Sequence, residues 1–394
     1  MGLPLIGETM ELYKTQSNNR FFEEFVEPRI AKYGKIFKTS LMGSPIVVVN
    51  GVEANRFILS NEFKLFNSLA FYHGKTRGLA PLPLQTGLEA LVPKICNTVQ
   101  LYLDKNWHGK DNVSLYCSTK LLTFTIVFEC FGRKEKRNGK QLARRGKRSA
   151  TIAIGGCNDS RGYYGQEVID NVVLLVFAAN DTTSFAIAMA FKMLAQHPEC
   201  YSLLLQEHAN IINNKRPGEN LVLEDVKKMT YTWQAARESM RLFPPIFGSF
   251  RKAVAGIEYQ GFTTPKGWKV LWTAYGTHYC GVYFQDPQRV DPSRFEEFVP
   301  PYVFLPFGGG PSVCAGYQLA KLNILIFVHY VVTRYNWSLI YPDESITMAP
   351  LPFPSQGMPV KISPKLFVKP HEDFFFYLII FFVKIICFGF LLLS

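Results

Sequence analysis

The chain has 394 residues, 48% hydrophobic and 19% charged, a balance that supports a large buried core and excludes a disordered chain. Its 29 glycines and 24 prolines follow no G-X-Y period, and no self-similarity appears at solenoid or propeller spacing, so fibrous and repeat architectures are excluded. The formal net charge is +12, of which the stretch 133–148 holds +8, nine basic residues against one Glu; so concentrated a run reads as a solvated loop, or as a patch for acidic lipid or a redox partner, and carries no nucleic-acid function.

In chain order, Met1 to Gly7 is too short and too punctuated by Pro and Gly to be a signal peptide or a membrane span, and reads as a loop. Phe21 to Tyr33 shows helical spacing, Lys35 to Val49 splits about Gly43-Ser44-Pro45 as a hairpin, and Val52 to Ser60 is a short helix. From 67 to 97 the turn formers Gly74, Gly78, Pro81, Pro83, Gly87 and Pro93 interrupt every period, and no element is placed there. Leu115 to Phe131 is an apolar helix. Gln166 to Leu194 is a long one, apolar on nearly all faces until Lys192, as expected of a helix through the middle of a large domain. Pro198 opens a helix to about Asn214, and Leu223 to Leu242 carries another pattern, ended by Pro244-Pro245. Ile257 to Phe262 and Trp268 to Ala274 read as strands about a turn at Pro265-Lys266-Gly267, and Tyr317 to Arg334 as a long helix. The fold class is mainly α with a small antiparallel β portion.

The eight cysteines, at 96, 117, 130, 157, 200, 280, 314 and 387, form no C-x-x-C pair and no dense cluster. Zinc-ribbon and disulfide-scaffold readings fail, and any special cysteine acts alone. Phe374 to Ser394 is apolar almost throughout, with Lys384 its one charge, and at ~1.5 Å per residue it is long enough to cross a ~30 Å hydrocarbon core. It reads either as a C-terminal membrane anchor or as an extension beyond a fold that closes by about Phe367.

Four sites carry chemistry. Phe307-Gly-Gly-Gly-Pro-Ser-Val-Cys314-Ala-Gly316 places one cysteine in a glycine-dense loop directly before a helix. Glycines there allow close backbone approach and unusual dihedrals, and N–H groups at a helix entrance donate to a thiolate. A thiolate tuned by donated hydrogen bonds is what a haem-ligating cysteine needs, and Phe307 is placed to cover the sulfur side of the macrocycle. The second site, Ala178-Ala-Asn-Asp181-Thr182-Thr183, puts an acid and a hydroxyl side by side inside the long helix, a short relay for protons. The third, Glu238-Ser-Met-Arg241, is an i, i+3 charge pair on one helical face. The fourth, Asp291-Pro-Ser-Arg294-Phe295, supplies a second Arg able to complete a buried Arg–Glu–Arg cluster.

In this order and spacing, 56 residues from Thr182 to Glu238 and 76 from Glu238 to Cys314, the four sites resemble those of the cytochrome P450 family of haem-thiolate monooxygenases. The phrases Phe247-Gly-Ser-Phe-Arg251-Lys, Gly261-Phe-Thr-Thr-Pro-Lys-Gly267 and Pro306-Phe-Gly-Gly-Gly-Pro311 are most similar to the plant branch that oxidises sterols and triterpenoids. The resemblance implies haem b (iron protoporphyrin IX) with Cys314 as axial iron ligand and Phe307, Gly308, Gly316 and Arg251 in contact with the cofactor. It assigns oxygen activation and proton delivery to Thr182 with Asp181. It makes Glu238, Arg241 and Arg294 a structural lock behind the haem.

It further implies insertion of one oxygen atom of O2 into a C–H bond of a lipophilic terpenoid or sterol, with electrons from an NADPH-dependent reductase flavoprotein, at the endoplasmic reticulum membrane facing the cytosol. The chain divides into a helix and hairpin part (1–66), an abbreviated irregular region (67–165), a haem-binding core (166–367) and a hydrophobic tail (368–394). Three departures stand out. Ser312 takes the place of the family's Arg two residues before the cysteine, no Trp-x-x-x-Arg helix is placed in 67–100, where the spacing occurs only as His73-Gly-Lys-Thr-Arg77 among turn formers, and Ala179 replaces a Gly. Only 33 residues, 133–165, lie where the family places several roofing helices; five of ~11 residues each would need ~55. The chain is therefore read as a truncated member, and a non-catalytic relative that binds haem poorly is the alternative.

Overall fold

In the computed structural model the described residues are 7–17, 20–41, 43–68, 86–131, 164–216, 218–348 and 351–365. Helix α1 (Thr9–Ser17) leads to a π-helical turn, Phe21–Val26, which runs into α2 (Glu27–Tyr33) and ends at Gly34, whose φ of 88° suits a residue without Cβ. Strands β1 (Ile36–Leu41) and β2 (Ser44–Val49) form the expected hairpin, Leu41 opposite Ser44 with Gly43 at φ 68° in the turn. Then come α3 (Val52–Ser60), β3 (Phe66–Ser68), α4 (Thr86–Asn106), β4 (Asn112–Ser114) and α5 (Leu115–Phe131).

The long central helix is α6 (Tyr164–Gln196), followed by α7 (Pro198–Asn213), α8 (Leu223–Lys227) and α9 (Thr230–Leu242). Pro198 occupies the first turn of α7, where its missing N–H costs no helical bond. Strands β5 (Gly248–Ala253), β6 (Ile257–Tyr259), β7 (Phe262–Thr264) and β8 (Lys269–Thr273) precede the one-turn α10 (Tyr275–His278). Helix α11 (Tyr317–Arg334) leads to β9 (Tyr335–Leu339), β10 (Ile346–Met348), β11 (Pro352–Pro354) and β12 (Pro359–Pro364).

The largest sheet has the order β1-β2-β8-β5-β3 and is antiparallel apart from β2 against β8. Helices α4, α5, α6, α7, α9 and α11 share the main core. Helix α11 is buried from Leu322 to Thr333, and α6 from Thr183 to Met193, as their largely apolar sequences predict.

One expectation is overturned. Where turn formers suggested no element, residues 86–106 form a 21-residue helix with Pro93 inside it. Buried Val92, Ile95, Cys96, Val99 and Leu103 recur at helical spacing on its core face, and their burial outweighs the hydrogen bond Pro93 cannot make. The single pattern at Leu223–Leu242 is likewise two helices, parted at Lys228 and Met229.

Candidate functional site

The loop from Phe307 to Gly316 depends on its glycines. Gly308 and Gly310 have φ of +70° and +67°, and a Cβ at Gly310 would lie 2.2 Å from the Leu59 carbonyl oxygen, so this loop packs directly on the end of α3. The Cys314 N–H donates to the Phe307 carbonyl at 2.9 Å, closing the loop on itself. Cys314 is exposed at the mouth of α11. Atoms crowding the sulfur on its protein side push the thiol pKa up, and the Gly316 N–H, donating to it, pulls the other way. A Cβ on Gly316 would stand 3.7 Å from Sγ, so this glycine leaves the sulfur clear. Phe307 packs edge-on to Tyr317, 4.8 Å between centroids, with Trp233 at 6.4 Å; Trp233 and Tyr317 escaped the sequence reading because aromatic residues on helices have no distinctive spacing.

Behind this loop, Glu238, Arg241 and Arg294 come together. Arg241 Nε and Nη2 donate to Glu238 Oε2 and Oε1 at 2.7 and 2.8 Å, a two-pronged pair with both side chains wholly buried. Arg294 Nε stands 3.6 Å from Glu238 Oε1, which also accepts the Asp291 N–H at 3.0 Å. Arg241 Nη1 donates to the carbonyls of His278 and Pro287 at 2.9 and 2.8 Å. The missed member is His278. Its Nε2 accepts the Leu305 N–H at 2.9 Å, so Nδ1 holds the ring proton and faces the Arg241 carbonyl at 3.2 Å. Burial pushes its pKa down to about 3, and the neutral ring links the ion cluster to the strand of chain that enters the cysteine loop.

On α6 the acid and hydroxyl are engaged locally. Thr182 Oγ donates to the Ala178 carbonyl at 2.6 Å, one turn back. Asp181 is buried and pairs with Lys120 of α5 at 2.7 Å, and Thr123 of α5 bonds both Asn180 and Ser184. Arg251, on β5, also has a partner of its own: its Nε lies 3.1 Å from Oε1 of Glu62, with the two side chains 6% and 0% exposed, while Nη1 donates to Ser249 Oγ at 2.9 Å. No hydrogen bond or ion pair among the described residues joins Arg251 or Asp181 to the cysteine loop. Ser312 is exposed and brings no cation to it. The site thus offers an open sulfur with a backbone donor, which fits a soft metal held by thiolate.

The family described as Cytochrome P450 matches residues 155–362. Taxoid 2-alpha-hydroxylase of Taxus canadensis is 32% identical over 92% of this chain and 89% of its own length, and beta-amyrin 28-monooxygenase of Panax ginseng 31% identical over 92% and 91%. A cyanobacterial cytochrome P450 solved with retinoic acid bound superposes with a TM-score of 0.72 at 25% identity, covering 93% of this chain and 98% of that one. The chain belongs to the cytochrome P450 family, so it is an oxidoreductase of the monooxygenase class with haem as cofactor. The alignment with the taxoid hydroxylase runs over 441 positions, more than the 394 residues of this chain, so that relative carries residues with no counterpart here. No helix of the described residues is long and apolar enough to cross a membrane. The basic run 133–148 and the tail 374–394 lie outside the described residues.

Proposed function

We propose that this chain inserts one oxygen atom of O2 into a C–H bond of a polycyclic terpenoid or sterol, using two electrons from an NADPH-dependent reductase flavoprotein. The observation that carries this reading is Cys314, exposed in a glycine loop whose own backbone donates to its sulfur. Haem ligated by a thiolate supplies the chemistry that cleaves dioxygen. In this reading Cys314 would hold the haem iron through its sulfur, Gly316 keeps bulk away from that sulfur, Gly308 takes the left-handed φ that the loop requires, and Phe307, packed on Tyr317, would cover the sulfur side of the macrocycle. Thr182 keeps oxygen lone pairs free to accept a hydrogen bond while its own proton is committed to Ala178. Asp181 passes a proton only when its carboxylate leaves Lys120, so that pair gates delivery. The relatives named for taxoids and beta-amyrin support the substrate class.

We place residues 166–367 as the haem-binding core and 368–394 as a separate tail, with the chain at the endoplasmic reticulum facing the cytosol. Extraction with carbonate, with and without residues 370–394, tests the tail as an anchor. The reduced, carbon-monoxide-bound spectrum tests the core of the proposal: a strongly red-shifted Soret band that disappears in Cys314→Ser is expected. An unchanged band in that variant overturns the assignment. A second reading, a relative that holds haem weakly and turns nothing over, is favoured by Ser312 and by the engagement of Arg251 with Glu62; stoichiometric haem and turnover of a beta-amyrin or taxane substrate would refute it.

A further inference from the structure

A cleft of about 260 Å³ lies where the ends of α6 and α9 meet the π-helical turn and α10. Its lining includes Glu23, Met193, Leu242, Phe243, Tyr275 and Tyr279. No residue of the 307–316 loop lines it, and neither Asp181 nor Thr182 does, so it is separate from the site described above. Its volume falls below the ~300–1,000 Å³ of sites for drug-sized molecules, which suits a small ligand.

The polar groups of the cleft lack partners. Glu23 carries a half-buried carboxylate with no hydrogen bond or ion pair among the described residues; the nearest cation in sequence, Arg20, pairs with Glu24 instead. Tyr275 is only 7% exposed, yet its hydroxyl makes no hydrogen bond among the described residues, an unmet demand for a group so deep. Burial pushes the pKa of both Tyr275 and Tyr279 up, and the Glu23 charge adds to that shift, so the carboxylate stands near both phenols.

No lysine or arginine lines the cleft. Arg241, whose guanidinium lies 5.9 Å from the Tyr279 ring, is held by Glu238, and His197 Nδ1 faces Glu199 at 3.2 Å. The chain thus leaves Glu23 without a counter-ion. Tyr279 commits its proton to the Leu242 carbonyl at 2.7 Å, which leaves the phenol oxygen able to accept. Phe243 packs on no other ring and on no cation among the described residues, so its face is open to a positive charge.

We propose that this cleft binds a small alkylammonium ion, whose N–H groups donate to Glu23 and Tyr275 and whose hydrocarbon lies against Met193, Leu242 and Phe243. An anionic ligand is repelled by Glu23, and a neutral one leaves its charge uncompensated. The net charge of +12 gives the chain no general attraction for cations, so selectivity for an ammonium ion arises locally.

The probe is n-butylammonium chloride, with butan-1-ol as a neutral molecule of the same shape. Each is titrated calorimetrically into the full chain at pH 7, where an alkyl amine is protonated. The ammonium ion is expected to bind at least about tenfold more tightly than the alcohol, through a charge-assisted bond to Glu23. Glu23→Gln keeps the shape, removes the charge and should bring the two within about threefold of one another. Tyr275→Phe loses only the oxygen and should weaken the ammonium ion by about threefold, the worth of one hydrogen bond. Equal affinities in the wild-type chain, or a preference that Glu23→Gln leaves unmoved, overturn the proposal. Heat that tracks a displaced Soret band assigns the amine to the haem iron and overturns it as well. The wild-type comparison uses no variant, so it decides the matter even where a substituted chain fails to fold.

Discussion

Glu238 accepts two hydrogen bonds from Arg241 and one from the Asp291 N–H, and faces the Arg294 guanidinium at 3.6 Å, with no exposed surface. Glu238→Gln leaves two arginines short of their counter-charge, and breaking a buried pair in this way costs about 3–5 kcal/mol. A lowered urea midpoint, or no soluble protein, is expected; an unchanged midpoint would show that the cluster contributes little. The cysteine loop offers a sharper contrast. Gly310→Ala places a methyl carbon against the Leu59 carbonyl at a left-handed φ, a conformation costing a residue with Cβ roughly 1–2 kcal/mol before any clash. Gly316→Ala meets only Sγ at van der Waals distance. Haem retention measured by transfer to a haem-scavenging apoprotein should therefore fall in the first variant and change little in the second.

Helices α5 and α6 meet along a polar seam in an otherwise apolar core. Lys120 reaches Asp181, while Thr123 reaches Asn180 and Ser184. The seam sets the register of the two helices, because a slip of one turn would strand Asp181 away from its cation. Lys120→Met should destabilise by about 1–3 kcal/mol, the cost of a buried acceptor left unpaired, and adding Asp181→Asn to it should restore most of that loss. Chemical denaturation of the four members of this cycle measures the coupling directly; additive losses would mean that the pair carries no weight. Helix α4 shows the opposite balance, with Gly87 and Pro93 as local signals against a helix and six buried apolar residues, Leu91 among them, for it. Local propensity lost there because Pro93 removes one bond, whereas each buried side chain contributes about 1.5–3 kcal/mol.

Across the whole molecule, three histidines are buried neutral where helices converge. His329 Nδ1–H donates to His208 Nδ1 at 3.0 Å, His208 Nε2–H to Thr232 Oγ at 3.0 Å, and Thr232 Oγ–H to Glu207 at 2.5 Å. The direction follows because Glu207 can only accept. This chain of bonds ties α7, α9 and α11 together. Burial holds His208 well below its ordinary 6.5 and His329 down to about 4, and His278 to about 3. Unfolded, all three take up protons near 6.5; folded, they refuse them until far lower pH. Stability is therefore complete above pH 6.5 and is lost as pH falls from about 6.5 towards 4 and 3, by about 1.4 kcal/mol per unit for each histidine. Urea midpoints between pH 7 and 4 should show this slope, and His329→Asn should flatten it by about a third. A flat profile would mean that these rings are protonated in the fold.

The order of elements was legible in the chain itself. Hydrophobic period, proline and glycine placed α3, α5, α6, α7 and α11 to within about two residues, and the cysteine loop, the acid–hydroxyl pair and the Glu-x-x-Arg helix announced the family. These are local signals, carried by residues a few positions apart. What the sequence could not reveal is which charge meets which. Arg251 pairs with Glu62 across 189 positions, Asp181 with Lys120 across 61, and His278 receives the N–H of Leu305. Such pairings arise only when packing brings distant segments into a medium with no water to satisfy them, and there each buried charge takes the partner that the fold puts within reach.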